Sequence, residues 1–333
     1  MLKGLITIAG CCTTLWVAAQ GANEVLQQAA GFKRTGDYAN AALTLRKGLE
    51  ANPASTELRQ ELAMVYYLNR QNKAALEAIE PLLKTDKADE TTYQLAGLIY
   101  RNSLDFKNAE TLYKAALKKY PKSGLLHADY GEMLDQKDPG FGNGLKWYEA
   151  GIAAQPDYPA NYYHAAKAYI SFEPIRALLY SEIFVNMESY STRTLEIKTM
   201  MLELYSKLWG HGLVGYDAKN PFDKAVAEIL RPYANLVSSG ITLDKLAMVR
   251  ARFILDWFNG PADKYPYRLF EMQRQLMRDG HFEAYNQWLL GSVANLPAFQ
   301  AYTSQNKAAY DAFTQMQRNR VFKMPEGQHY AGK

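Results

Sequence analysis

A single spacing limits what this chain can fold into: its first half repeats every 34 residues. Small residues stand at Ala29, Ala63, Gly97 and Gly131, and larger ones follow three positions later at Phe32, Tyr66, Tyr100 and Leu134. A second series runs through Ala41, Ala75 and Ala109, then Gly144 after a turn one residue longer. Bulky partners follow four positions on, at Leu45, Ile79, Tyr113 and Tyr148. Gly48, Ala116 and Gly151 extend this series, which Leu82 breaks. Pro53 and Pro121 lie 68 positions apart, two full periods, and Pro156 ends a later unit. Proline cannot continue a helix, so each one closes a helical stretch. A period of this length describes stacked supersecondary units, none of which buries its apolar face alone. Small positions facing large ones let the helices interdigitate.

The unit resembles the tetratricopeptide repeat (TPR), a helix–turn–helix of 34 residues. Its turns read Gly36-Asp37-Tyr38-Ala39-Asn40, Arg70-Gln71-Asn72-Lys73-Ala74 and Leu104-Asp105-Phe106-Lys107-Asn108, and the middle repeat runs out near Lys87. The fourth turn, residues 135–144, is longer and glycine-rich. It lacks the preceding strand and following Lys-Ser/Thr of a phosphate-binding loop. A fifth unit begins near Pro159, with Ala165, Ala166 and Tyr169 in the helix A positions and an amphipathic helix B over 174–188. The resemblance covers residues 22–190, about five repeats. It implies an all-α solenoid whose inner face, formed by the first helix of each pair, holds a protein or peptide. Carried over by repeat position, that face comprises Lys33, Arg34, Gln60, Met64, Tyr67, Gln94, Leu98, Arg101, Asn102, Glu132, Gln136, Tyr163 and Lys167. Within it, Arg34 and Arg101 are placed to meet a carboxylate. The Lys and Asn with which TPR co-chaperones grip a C-terminal carboxylate are replaced here by Leu26 and Ala30.

Beyond Ser191 the period fades while helical patterning persists, so residues 191–333 are expected to form degenerate TPR-like hairpins or a cap on the last repeat. Thr194 to Trp209 reads as one helix with an apolar stripe of Leu195, Met201, Leu202, Leu204, Tyr205 and Leu208. Gly210-His211-Gly212 interrupts it, and Asn220-Pro221 opens the next. Further helices are predicted at 222–236, 243–258, 265–278, 281–290, 295–304 and 306–318, separated by Gly240, Gly260-Pro261 and Gly280. Residues 324–330 read as a tail.

The N-terminus carries one positive charge at Lys3 and then an uncharged, mostly apolar run to Ala19. That is the layout of an export signal, residues 1–19, with Ala22 as the other cleavage point. It places the chain in the periplasm or cell envelope. Ile8-Ala9-Gly10-Cys11 also resembles a lipobox, so membrane attachment through a lipidated Cys11 or an uncleaved anchor is the second reading. Cys11 and Cys12 are the only cysteines, so cleavage removes every thiol and with it disulfide or cysteine–zinc chemistry.

Thirty-eight Lys and Arg against 34 Asp and Glu leave no clustered basic footprint for nucleic acid. None of His127, His164, His211, His281 and His329 pairs at the four-residue spacing of a helical zinc site. His281 and Glu283, two apart, point to different sides of a helix. His164 is expected as a half-buried packing residue. No nucleophile elbow is present. The chain is therefore read as an exported scaffold that binds partner proteins, without cofactor, metal or catalysis. One alternative is a glycan- or nutrient-binding envelope protein using Asp256-Trp257-Phe258 and Tyr285-Asn286-Gln287-Trp288. The other is an enzyme with a site near His211, Asp256 and His281.

Overall fold

The computed structural model describes residues 9–140, 142–209, 213, 216–237 and 240–331, with side chains from residue 21 onward. Among the described residues there are helices and turns and no strand. The chain is all-α and divides into two compact units, Met1–Pro139 and Gly140–Lys333. The division falls inside the lengthened fourth turn. The expected export segment lies on residues 1–8, outside the described residues, and on 9–19, described only as helical backbone; the Cys11 and Cys12 side chains are likewise outside. No described helix is long and apolar enough to cross a membrane.

The first unit is a row of hairpins: α1 (Ala9–Arg34) with α2 (Tyr38–Ala51), α3 (Thr56–Leu68) with α4 (Asn72–Leu83), α5 (Glu90–Asn102) with α6 (Phe106–Lys119), then α7 (Gly124–Lys137). The turns repeat as faithfully as the sequence. Gly36, Arg70 and Leu104, 34 apart, are all left-handed, with φ of 77°, 58° and 58°. The next amide reaches back five residues: Asp37 N to Phe32 O at 3.0 Å, Gln71 N to Tyr66 O at 2.8 Å, Asp105 N to Tyr100 O at 2.9 Å. This is the Schellman stop. Phe32, Tyr66 and Tyr100 thus supply the terminating carbonyls, and their rings are half-exposed. Asp37 and Asp105 then cap the following helix through Asn40 N (3.1 Å) and Asn108 N (3.2 Å).

Between the helices the small positions are buried as the period requires. Ala41, Ala75 and Ala109 and their partners Leu45, Ile79 and Tyr113 are all fully inaccessible. A Cβ on Gly97 would stand 2.4 Å from the Tyr113 hydroxyl, and one on Gly48 2.6 Å from Val25 Cγ1. Leu82, which breaks the small-residue series, is itself buried; α4 carries Pro81 and ends at Leu83, so this hairpin closes one half-turn early. The first helices of successive hairpins touch one another in series, α1 to α3 to α5 to α7, while the second helices stay further apart. The α1/α3/α5/α7 side is therefore the inner side of the stack.

The second unit comprises α8 (Leu145–Ala154), α9 (Pro159–Tyr169), α10 (Pro174–Met187), α11 (Thr192–Lys207), α12 (Pro221–Leu230), α13 (Leu243–Asn259), α14 (Arg268–Arg278), α15, α16 (Leu296–Gln305) and α17 (Lys307–Asn319). Helix α15 begins at Phe282–Asn286 and passes through a π turn, Gln287–Gly291, into Ser292–Ala294. The centre of the unit is α10, buried on every side from Ile175 to Asn186. That corrects the expected amphipathic helix: α9, α11 and α12 all pack on it, and a helix enclosed all round has no polar face. The Gly280 turn, φ 72°, uses the same stop, His281 N to Leu276 O at 2.8 Å.

Three further expectations are corrected. Leu195 is exposed, because the buried stripe of α11 runs through Thr194, Ile197, Lys198, Met201, Leu204 and Tyr205, one residue out of phase with it. The helix predicted over 222–236 changes at Arg231–Val237 to a 3-10 segment, since Pro232 lacks an amide and disfavours α geometry before it. The tail over 324–330 is docked. Phe322, Met324 and Tyr330 are buried, the Tyr330 hydroxyl donates to Pro266 O at 2.8 Å, Asn220 Nδ2 donates to Tyr330 O at 2.5 Å, and His329 pairs with Glu149. The interruption at Gly210-His211-Gly212 lies outside the described residues.

Leu104 is 67 % exposed, so replacing it loses little packing while its left-handed backbone disfavours any side chain. Leu104→Gly is expected to raise stability by about 1 kcal/mol in urea titration. Gly97→Ala, which drives a methyl into Tyr113, is expected to lower it by ~1–3 kcal/mol.

Candidate partner-binding groove

The inner side of the first unit carries a groove of about 370 Å³ lined by Leu26 of α1, Glu57, Gln60, Glu61 and Met64 of α3, and Thr91, Gln94, Leu95 and Leu98 of α5. Four of the residues expected from repeat position, Gln60, Met64, Gln94 and Leu98, meet here. Leu26, Met64 and Leu98, from three successive inner helices, give it an apolar floor. Gln60 is held by the next cap, with Nε2 donating to Asp89 Oδ1 at 2.8 Å and Thr92 Oγ1 at 2.9 Å. Arg34, Asn102 and Gln136 are exposed, and Tyr67 is half-buried. Tyr163 and Lys167 belong to the second unit.

Three cations of this face, Lys33, Arg101 and Lys167, are paired within the fold, while Arg34 is exposed. Arg101 donates to Glu132 Oε2 at 2.6 Å, and its side chain is only 15 % exposed, so it is engaged within the fold. Lys33 pairs with Glu61, and Lys167 with Glu196 at 2.6 Å, where Tyr163 also donates at 2.6 Å. Each pair staples one inner helix to the next inner helix. Glu61 and Glu196 went unnoticed in the sequence because charge partners about 30 positions apart leave no local signal.

Asp129 of α7 stands beside this network. Burial pushes its carboxyl up to about 6; Arg101 and a hydrogen bond from Gln94 pull it down, and Glu132 pushes it up. With the folded value above the unfolded one, the group's contribution is fully present below about pH 4 and lost as pH rises through about 6. Asp129→Asn is therefore expected to gain stability relative to the parent above pH 6, with the gain fading towards pH 4, in urea melts across that range.

The residues named for other chemistries are placed elsewhere. Trp257, Tyr285 and Asn286 are fully inaccessible and Trp288 nearly so, so they form core and present no face to a sugar. Asp256 accepts the Tyr233 hydroxyl, His281 precedes α15, and His211 lies outside the described residues. His164 is half-buried, stacked on Tyr148 at 5.0 Å. Among the described residues no group of His, Cys, Asp or Glu converges as a metal site.

The second unit has a polar centre instead. Arg250 NH1 and NH2 reach the two oxygens of Glu182 at 2.9 and 2.5 Å, and Gln273 and Tyr285 each donate to Glu182 Oε1 at 2.6 Å. Arg250 NH1 also meets the Tyr205 hydroxyl at 2.7 Å. Burial alone would lower the Arg250 value, and Glu182 holds it well above normal. The cavity beside the pair, about 50 Å³ among Leu178, Val226, Phe253 and Phe270, is far below the ~300–1,000 Å³ of ligand pockets. Arg250→Leu alone is expected to cost ~3–5 kcal/mol, whereas Glu182→Leu with Arg250→Leu costs less than the sum of the singles, in a double-mutant cycle read by urea denaturation.

No protein-family model matches the chain, and no curated protein matches it. Among solved structures, one of pilF from Pseudomonas aeruginosa is similar at 18 % identity, covering 65 % of this chain and 93 % of that one, with a TM-score of 0.47. The TPR protein TTC0263 of Thermus thermophilus is similar at 18 % identity over 55 % and 98 %, TM-score 0.42. MamA of Desulfovibrio magneticus RS-1 gives 13 % identity over 56 % and 96 %, TM-score 0.39. The architecture itself rests on the register of this chain: three left-handed stops 34 residues apart, matching caps, and inner helices in series. On those grounds the first unit is a TPR-type stack of helical hairpins, within an all-α helical-repeat scaffold.

Proposed function

We propose that this protein is an exported helical-repeat scaffold that holds a segment of a partner protein in the α1/α3/α5 groove and catalyses no reaction. The observation that carries the reading is the groove floor: Leu26, Met64, Leu95 and Leu98 from three successive inner helices, flanked by amides and carboxylates. An apolar trough with a polar rim suits a peptide strand or helix. Export to the periplasm or envelope is supported by the charged start and apolar run of residues 1–19, with attachment through Cys11 as the variant of that reading. Fractionation and N-terminal sequencing of the mature chain test it.

Met64 and Leu98 are half-buried, so charging both alters the groove with modest effect on the core. Met64→Glu with Leu98→Glu is expected to lower partner capture at least about tenfold, read by cross-linking in intact envelopes and mass spectrometry, with the circular dichroism spectrum unchanged. Unaltered capture by this folded variant would remove the groove from the reading.

A further inference from the structure

The charges along the groove are unevenly spent. Its lining contains two carboxylates, Glu57 and Glu61, and, among the described residues, no Lys or Arg. The cations nearest in repeat position are already committed, Lys33 of α1 to Glu61 and Arg101 of α5 to Glu132 of α7. That leaves Glu57, exposed in the first turn of α3 and touched by the Ser55 hydroxyl at 3.0 Å. Arg34, at the end of α1, is an exposed cation on this face, beyond the groove lining. Glu57 shares the groove lining with the apolar floor of Leu26, Met64, Leu95 and Leu98.

Resting on the groove reading above, we propose that the partner segment is basic and apolar: a Leu-, Met- or aromatic-type side chain enters between Leu26, Met64 and Leu98, and a neighbouring Lys or Arg meets Glu57. The physical case is complementarity. A cation brought to Glu57 gains a charge partner that the fold does not supply, beside an apolar floor that holds its neighbour. An acidic segment or a phosphate backbone would meet like charge on the same rim. The groove volume, at the low end for binding sites, suits one or two anchoring side chains of a peptide and not a folded domain.

The test uses random dodecapeptides displayed on phage, selected against the full chain, with the Met64→Glu/Leu98→Glu protein as the counter-target. Selected peptides are then synthesised and titrated by fluorescence anisotropy at 50 and 300 mM NaCl. The expected result is enrichment of Lys or Arg beside a large apolar residue and a Kd that rises roughly tenfold or more across that salt range. The Kd should rise again in Glu57→Lys and fall back when the peptide's Lys is replaced by Glu. Acidic or uncharged peptides that still need Met64 and Leu98 would overturn the charge assignment and leave the groove standing. Peptides that bind the counter-target equally well, or no retained peptide at all, would overturn the groove reading and this inference with it.

Discussion

Both units depend on helices approaching closely where one of them has no side chain to interpose. Gly48 of α2 lies against Val25, Gly97 of α5 against the Tyr113 ring, and Gly151 of α8 against the Asn161 amide, each so near that a single added carbon would collide. The gain is van der Waals contact on both sides of the seam, which is forfeited quickly as helices separate. In the first unit small residues recur with the 34-residue period at Ala29, Ala63, Gly97 and Gly131, so the same kind of close approach is repeated along the stack. The groove over Leu26, Met64 and Leu98 lies between three of the inner helices so packed.

What could be read from the sequence follows from how far apart the interacting residues are. The hairpins were legible, because their turns are written within a few residues and then repeated; the left-handed stops and Asp caps inside those turns came from the structure. The inner face could be named only as a set of positions, four of which, Gln60, Met64, Gln94 and Leu98, line one groove. Its electrostatics were not legible. Lys33 finds Glu61 28 positions away, and Arg101 finds Glu132 31 positions away; a list of surface residues does not reveal which charges are consumed inside the stack. The second unit was harder still. Its helices were placed nearly correctly, but α10 was misread, since its polar residues Arg176, Ser181, Glu182 and Asn186 mimic a solvated face while all four are buried.

Those four residues show how a core can accept charge. Arg176 meets Asp223 at 2.7 Å, Ser181 donates its hydroxyl proton to Ala177 O at 2.6 Å, and Asn186 donates to the Tyr285 hydroxyl at 2.8 Å. Together with Glu182 and Arg250 they give α10 one rotational setting, because any other would strand several buried polar groups. An apolar helix in the same place would have no such preference.

The docked tail has a consequence for how the chain is made. Asn186 waits for Arg320, 134 residues later, and Glu149 for His329, 180 residues later. The first unit closes through neighbours, so its hairpins can form one after another as the chain emerges from the ribosome. The second unit cannot complete its packing until Arg320 and His329 have been synthesised. Until then the aromatic cluster around Phe222, Tyr265 and Tyr267 lacks the Tyr330 ring that packs on it. Of the two units, it is the second whose nascent form has the greater need of a chaperone.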